Sequence, residues 1–266
     1  MVAVTFELLD RRALALLTFV DALGNEVTSP VSVAGEGVRF FTKRPGALVI
    51  TDAPGFAGYA AAFDPLPAVA ATTIQLDLRP ADPALSPRRF GLALPRDPDP
   101  DPARTILPGS LFQPVQVTLL PTPLSELRGM TAAFSVNVRR ATDNARVEGA
   151  LVRLRPEGGR PEAHAMTDAA GDALLLVPGV PLSSPGAGAV VRPDIAADLD
   201  AVVDPALALF HADAGLAAAR DAARRRMQGF IDSDDLATRL GAAATPAQTV
   251  RIQAGRTRTA TISWTP

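Results

Sequence analysis

The side chains of this chain that could do chemistry are scattered, and few stand at a spacing that chemistry requires. Its two histidines, His164 and His211, are far apart, and no H-x-x-x-H or H-x-x-E pair occurs. A metal site would need ligands from distant segments, so we interpret both as solvated or packed side chains. There is no cysteine, which excludes disulfides, thiolate catalysis and Cys-based zinc sites.

Nucleophilic and phosphate chemistry are poorly supported as well. The serines fall mainly in turns, and none stands in a G-x-S-x-G elbow. Gly186 and Gly188 are the nearest approach to a phosphate loop, but no suitable helix start follows them. Asp and Glu are plentiful, so a carboxylate pair formed in space stays an alternative. We predict no catalytic residue, no cofactor, no metal ligand and a protein that is not an enzyme.

Carboxylates recur at every second position in the segment Asp97-Pro-Asp-Pro-Asp-Pro102. A calcium loop is one interpretation, but the glycine and the distal bidentate Glu of a calcium hand are not placed here. Alternate prolines remove backbone donors and favour a stiff, extended chain. We therefore predict a linker at 97–108, between a domain at 1–96 and a domain at 109–266.

The formal net charge of −2 gives no general attraction to nucleic acid or anionic lipid. The densest basic run is Arg224-Arg225-Arg226, which on a helix fans over more than half the circumference. Asp221 stands one turn before it, as in ordinary helix-surface pairs. A solvated face is favoured over a nucleic-acid contact, and no apolar run has the length of about 20 residues that a membrane span requires.

The elements that must position these residues are mostly short strands. Alternation is clearest at Ile74, Leu76 and Leu78, whose neighbours are polar, as in a half-buried strand. Strands are predicted at residues 15–20, 27–33, 38–42, 46–50, 74–78, 90–94, 115–119, 134–138, 147–154, 173–177, 249–253 and 257–264.

The segment 147–178 combines a strand, a polar hairpin, a tight turn and a second strand. In the turn Thr167-Asp-Ala-Ala-Gly171, Asp168 can bond its own backbone and Gly171 can take a positive φ. The chain closes with a strand, Ala254-Gly255 and another strand. These features resemble the carboxypeptidase regulatory-like domain, a prealbumin-like (transthyretin-like) β-sandwich, over about a quarter of the chain. The resemblance implies an interaction module rather than a catalyst.

The predicted fold is mainly β: two prealbumin-like or immunoglobulin-like β-sandwich domains, the second with a helical insertion at about 198–241. Asp204-Pro205 is a typical helix start, and alanine-rich residues 206–229 have high helix propensity. A second helix is predicted from Ser233 to Gly241. The apolar residues of the insertion are predicted to bind a partner; they are Leu207, Phe210, Met227, Phe230 and Ile231.

The predicted function is a non-enzymatic structural or adaptor subunit of a multiprotein assembly, for which a phage-tail-like or contractile injection particle is the fold-level analogy. Its partners are other protein subunits or copies of itself. No export signal is evident, because Arg11 and Arg12 follow the apolar residues instead of preceding them. Either a signal was removed, or the protein is assembled in the cytoplasm and leaves by another route; assembly in the cytoplasm is the expectation.

Docking is expected through the insertion and through exposed strand edges. Deleting residues 204–241 should then abolish partner binding while the sandwiches stay folded. Two alternatives remain. One is a carbohydrate- or cell-surface-binding module that uses loops around Tyr59 and His164, although core packing is favoured for Tyr59 and for Trp264. The other is a hydrolase that uses carboxylates.

Overall fold

A computed structural model describes residues 12–61, 70–126, 131–158, 160–180, 194–212, 231–253 and 255–266. This part of the chain is mainly β, as predicted. Its strands are β1 (Ala15–Val20), β2 (Val31–Ala34), β3 (Arg39–Arg44), β4 (Ala47–Asp52), β5 (Thr72–Pro80), β6 (Arg88–Leu94), β7 (Val115–Thr118), β8 (Ala132–Arg140), β9 (Arg146–Glu148), β10 (Leu151–Pro156), β11 (Ala163–Met166), β12 (Asp172–Val177), β13 (Asp194–Val202), β14 (Leu209–His211), β15 (Gln248–Gln253) and β16 (Thr257–Trp264). Its α-helices are α1 (Ala57–Ala61), α2 (Pro102–Thr105) and α3 (Ser233–Leu240).

The first sandwich packs the sheet β3-β4-β1-β7 against the sheet β2-β5-β6. Alternate residues of β5 point into its core, where Ile74, Leu76 and Leu78 are buried as the sequence predicts. Leu17 and Phe19 of β1 meet them from the facing sheet. Burial of these side chains removes apolar surface from water and is the main force that holds the two sheets together.

Strand β7 lies beyond the predicted linker, yet it completes the first sandwich. It pairs in parallel with β1, in the register Leu17↔Val115, and Val117 is buried in the first core. The predicted boundary at 97–108, between domains at 1–96 and 109–266, put this strand in the second region. The Asp-Pro segment instead belongs to a loop between two strands of one sandwich. The chain stays on the first sandwich beyond β7, since the Leu119 N–H donates to the Val20 carbonyl and the Ser125 hydroxyl donates to the Ala84 carbonyl.

The second sandwich packs the sheet β11-β10-β13-β15 against a sheet built around β8. The predicted turn between β11 and β12 is confirmed, because Asp168 Oδ1 accepts bonds from the backbone N–H groups of Ala170 and Asp172. Gly171 has φ +73°, and a Cβ there would lie 2.7 Å from the Val138 carbonyl oxygen. The turn therefore requires glycine.

Both sandwiches are closed in the same way. The first pairs its first strand, β1, with its last, β7, in parallel. The second pairs its first strand, β8, with its last, β16, also in parallel and in an unbroken register from Thr257↔Ala133 to Trp264↔Arg140. In each sandwich, the last strand of its own segment of the chain therefore completes the sheet.

The predicted helical insertion at 198–241 is only partly helical. Residues 198–202 belong to β13, which pairs with both β10 and β15. Asp204 does accept a bond from the Ala206 N–H, but the chain forms a turn there and continues into β14, which pairs with β9. The helix predicted from Ala206 is wrong in this stretch, because cross-strand pairing outweighs local helix propensity. Residues 213–230 lie outside the described part.

The second predicted helix is confirmed as α3, and it ends at Gly241 as expected. Its N-cap is Asp232 rather than Ser233, with Oδ1 accepting bonds from the backbone N–H groups of Asp234 and Asp235. Such a cap is worth about 1 kcal/mol of helix stability. Across the described ranges, no helix has both the length and the apolar character needed to cross a membrane.

Candidate interaction surfaces

Residues 231–240, which we call the clamp, extend from the second sandwich and grip strand β6 of the first. The Arg89 N–H donates to the Ile231 carbonyl (3.2 Å), and the Gly91 N–H donates to Asp232 Oδ2 (3.0 Å). Asp232 thus caps α3 with one carboxylate oxygen and binds β6 with the other. The clamp covers part of an edge that would otherwise be unpaired.

Arg88 is the buried centre of this contact. Its side chain is 3% exposed. Nη1 donates to the Thr118 carbonyl oxygen (2.9 Å), and Nη2 donates to Asp234 Oδ2 (2.7 Å). A guanidinium out of water is tolerated only with partners of this kind, so the site holds β6, the end of β7 and α3 in one arrangement.

The clamp packs on the second sandwich through a small apolar cluster. Leu236 of α3 is 1% exposed and packs with Leu151 and Val202 on the outer face of their sheet. Leu120, which follows β7, joins the same cluster. A second contact places Leu23, from the turn after β1, against Leu174 and Leu176 of β12. The two sandwiches are thus joined at two apolar contacts.

A buried ion-pair network lies beneath the end of the clamp. Asp200, 3% exposed, accepts bonds from Arg153 Nε (2.8 Å) and Nη2 (3.0 Å) and also pairs with Arg155. Arg153 also donates to the Gly241 carbonyl oxygen (3.2 Å). The carboxylate is fully engaged by cations, which suits a structural role rather than acid–base chemistry.

The predicted partner-binding residues that the structure describes lie in three different surroundings. Leu207 is 51% exposed. Phe210 stacks on Trp264 with ring centroids 5.7 Å apart and lies under the Arg140 guanidinium. Ile231 is partly buried against the apolar cluster of Leu236. Met227 and Phe230 lie outside the described residues. Leu207 alone of the described three offers its side chain freely to solvent, and its partner-binding role stays a prediction.

The remaining candidate residues of the sequence are mostly engaged inside the protein. Tyr59 is 5% exposed, with Arg12 over its ring, and Trp264 is 6% exposed, so both lie in cores as favoured. His211 Nε2 lies 2.6 Å from Glu148 Oε2, and His164 is partly exposed on β11. Within the described ranges, no three acidic or histidine side chains gather as a metal site would require.

A cleft of about 640 Å³ lies between the sandwiches, and acidic residues are prominent along it. Three of these are already occupied: Asp21 bonds the backbone of its own turn, Glu26 pairs with Arg44, and Asp82 bonds the Ala84 N–H. The cleft therefore offers few free groups to a ligand.

The edge strand β16 has one side paired with β8, and no strand among the described residues pairs with its other side. The Ala133 N–H donates to the Arg256 carbonyl and the Ala141 N–H to the Trp264 carbonyl, so the even-numbered residues of β16 face β8. In a parallel pair the alternate residues direct both backbone groups to the other side. These residues are Thr257, Thr259, Thr261 and Ser263; all are exposed, and in the described chain no strand pairs with them.

The edge strand β3 of the first sandwich is built differently. It carries three cations, Arg39, Lys43 and Arg44, and Phe41, whose side chain is 62% exposed. Its pairing with β4 shifts register between Arg39 and Phe40 and again between Thr42 and Arg44. Charges and irregularities of this kind keep an edge from pairing with another chain.

The predicted linker is the base of a closed loop between β6 and β7. Asp97, Asp99 and Asp101 each accept a bond from the backbone N–H two residues later. The Asp99 N–H and Arg104 lower the pKa of Asp97. The Asp97 N–H donates to the Gly109 carbonyl (3.0 Å), so the ends of the loop meet. The prolines therefore sit in a folded loop and not in a spacer.

This loop carries exposed apolar side chains that sequence reasoning missed. Ile106 is 72%, Leu107 49% and Phe112 53% exposed. Three large apolar residues in a proline-rich segment indicate a contact surface, provided that the segment is interpreted as a folded loop and not as a spacer. Arg88 and Asp232 were missed too, and nothing local in the sequence marks them, because their roles arise from a contact between distant segments.

No protein-family model matches the chain, and no curated protein matches it. Two solved structures are similar to it at low identity. The Bacillus anthracis TIE protein is 8% identical with a TM-score of 0.28, covering 94% of this chain and 33% of that chain, so the chain spans about a third of its length. GBS52, the minor pilin of Streptococcus agalactiae, is 12% identical with a TM-score of 0.26, covering 94% and 95%.

Both TM-scores are low, so neither likeness bears on the function of this chain. The mainly β architecture confirms the predicted fold class. Membership of the carboxypeptidase regulatory-like family stays a prediction.

Proposed function

We propose that this chain is a non-enzymatic structural or adaptor subunit that binds a neighbouring subunit through the free edge of β16. The observation that carries the proposal is the regularity of that edge. It runs for eight residues without proline or register shift, and the residues directed outward are uncharged. Such an edge offers a row of backbone donors and acceptors to an extended segment of another protein.

The side chains along the edge suit such a partner. Thr257, Thr259 and Thr261 are β-branched and exposed on one face, and residues of this type pack well across paired strands. On the opposite face, Ile262 and Trp264 are buried in the core. The strand is therefore held firmly from inside and presents its free side in a fixed position, which reduces the entropy lost on binding.

The bonded connection between the sandwiches supports an adaptor role. Arg88 bonds Asp234 of α3, and Leu236 packs α3 on the second sandwich, so a partner bound to one sandwich is held next to the other. A phage-tail-like or contractile injection particle assembled in the cytoplasm is the finer form of the proposal, and it rests on analogy at the level of fold.

The test compares two substitutions at one position. The Thr259 N–H points away from β8, so Thr259→Pro removes a donor from the free edge and leaves the β8 pairing intact. Thr259→Val keeps the N–H and the shape. Tagged wild-type, T259V and T259P proteins would be purified from the native host, sized, and their partners identified by mass spectrometry.

We expect wild type and T259V to be recovered with the same subunits, and T259P to lose them by at least about tenfold, as for a central contact of an interface. Equal recovery with T259P would overturn the edge as the binding site. Recovery of wild type as a lone monomer at normal expression would overturn the proposed function itself. Deleting residues 204–241 is a poor test, because it also removes the clamp.

A further inference from the structure

The loop between β6 and β7 presents an apolar knob, which we define as Ile106, Leu107 and Phe112. Each side chain is about half exposed or more. They lie within seven consecutive residues, beside the start of β7 at the edge of its sheet. Large apolar side chains grouped on a surface mark contact sites, whereas single ones need no explanation.

The knob is held in place by its own loop. Arg96 Nε donates to the Ser110 carbonyl (3.0 Å), and its Nη2 donates to the Pro108 carbonyl. Gln113 Nε2 donates to the Thr105 carbonyl (2.8 Å), and Arg104 Nη2 pairs with Asp97 (2.6 Å). These bonds tie both ends of the loop together, so the knob is preorganised and loses little entropy when it docks.

A complementary surface lies at the opposite edge of the same sheet. The strand order β3-β4-β1-β7 puts β3 three spacings from β7, about 14 Å. Strand β3 contains three cations and no acidic residue, and it exposes Phe41. The knob loop contains three aspartates, Asp97, Asp99 and Asp101, and two arginines, Arg96 and Arg104. Arg104 pairs with Asp97 and Asp99, whereas on β3 Arg39 pairs with Asp52 and Arg44 with Glu26. The complementary charges are therefore Asp101 beside the knob and Lys43 on β3.

We propose that the knob of one copy of this chain docks on β3 of the next copy. The inference deepens the proposed function, since it assumes an assembly subunit and names a second copy as one partner. Phe41 supplies the apolar contact, and Lys43 faces Asp101, since Asp99 already pairs with Arg104 of its own loop. Because the two surfaces are different and lie on opposite edges, the contact is head-to-tail and can continue from copy to copy. The register shifts of β3 direct the contact to side chains instead of backbone pairing.

The test uses one variant for each surface. The double variant Ile106→Ser with Phe112→Ser removes the knob, and Phe41→Ser with Lys43→Glu removes the basic edge. All four side chains are on the surface, so both variants should keep the circular dichroism and melting of wild type. Sedimentation velocity over a concentration series would measure association of each variant alone and of an equal mixture. The charge reversal Asp101→Lys should weaken self-association by at least about tenfold relative to wild type.

Wild type is expected to form a concentration-dependent series of species, and each variant alone to stay monomeric. The mixture should form dimers and nothing larger, because one variant keeps only the knob and the other only the edge. A wild type that stays monomeric at its highest soluble concentration, or a mixture that stays monomeric, would overturn the inference. If host subunits still bind through the β16 edge, failure here leaves the proposed function standing.

Discussion

The edge strands β3 and β16 both have a side whose backbone groups could pair with another chain, but only β3 is protected against such pairing. Strand β3 is interrupted by register shifts and carries three cations, whereas β16 is regular and directs four uncharged residues outward. Edges are normally protected, because an open row of backbone groups invites pairing with other chains. Of these two edges, β16 is therefore the one that is open to pairing with another chain.

The largest expected effect is the difference in unfolding free energy between proline substitutions on the two sides of β16. Ala260→Pro removes an N–H that faces β8 and leaves its carbonyl acceptor on β8 unpaired, which should cost about 3 kcal/mol of unfolding free energy. Thr259→Pro, one residue earlier on the free side, should cost about 1 kcal/mol or less. Urea denaturation of both variants measures the difference. Equal losses would mean that the outer side of β16 is also paired.

The edge of β6 is a third case, because it is covered by the clamp. Arg88→Met should lower the unfolding free energy by about 2 kcal/mol, since the buried guanidinium bonds the Thr118 carbonyl and Asp234. Arg89→Met is the matched control; Arg89 forms a partly exposed pair with Asp77 and should cost less than about 1 kcal/mol. Similar losses in a urea titration would show that the clamp contributes little.

The next smaller effect on stability is expected when a positive charge is added to β16 or removed from β3. Thr259→Lys adds a charge to the open edge and Lys43→Thr removes one from the protected edge. Each should change the unfolding free energy by about 0.5 kcal/mol or less, because both positions are exposed. Partner recovery from the host should fall with T259K and persist with K43T. The reverse pattern would place the pairing site on β3.

The smallest expected effect concerns the pH dependence of stability that arises from an ion pair of the clamp. The pKa of Asp204 is lowered by Arg239 of α3 and by the Ala206 N–H. Because this pKa is below that of the unfolded chain, about 3.9, the pair stabilises the fold above that pH and the contribution is lost as the pH falls through the folded value. Asp204→Asn should flatten the decline of stability below pH 4 by less than about 0.5 kcal/mol, since Arg239 is half exposed. An unchanged pH profile would refute the coupling.

Local patterns predicted the strands because alternation reports burial directly. Ile74, Leu76 and Leu78, and the turn of Asp168 and Gly171, lie as their pattern indicates. The same reasoning failed at Asp97, because a carboxylate that bonds the backbone two residues later folds a proline-rich segment into a loop. It failed again after Ala206, where pairing of β14 with β9 decides the structure.

The candidate surfaces could be predicted only in part. Exposed edges were expected as a class, but which edge is free depends on partners distant in sequence, such as Asp232 on β6. Leu207, Phe210 and Ile231 share apolar character, yet Phe210 stacks on Trp264 and Ile231 joins the clamp. Hydropathy alone does not distinguish an apolar residue that packs within its own chain from one that binds a partner.

The parallel closure of each sandwich by its last strand has a consequence for biosynthesis. As the chain leaves the ribosome, β8 emerges long before β16, and β1 long before β7. Neither sandwich can bury its first strand completely until the end of its sequence has been made, and contacts between such distant segments form slowly. During translation, the strand most exposed to mispairing is therefore the first strand of each sandwich. In the second sandwich, β16 covers that side of β8 and becomes the exposed edge strand only when folding is complete.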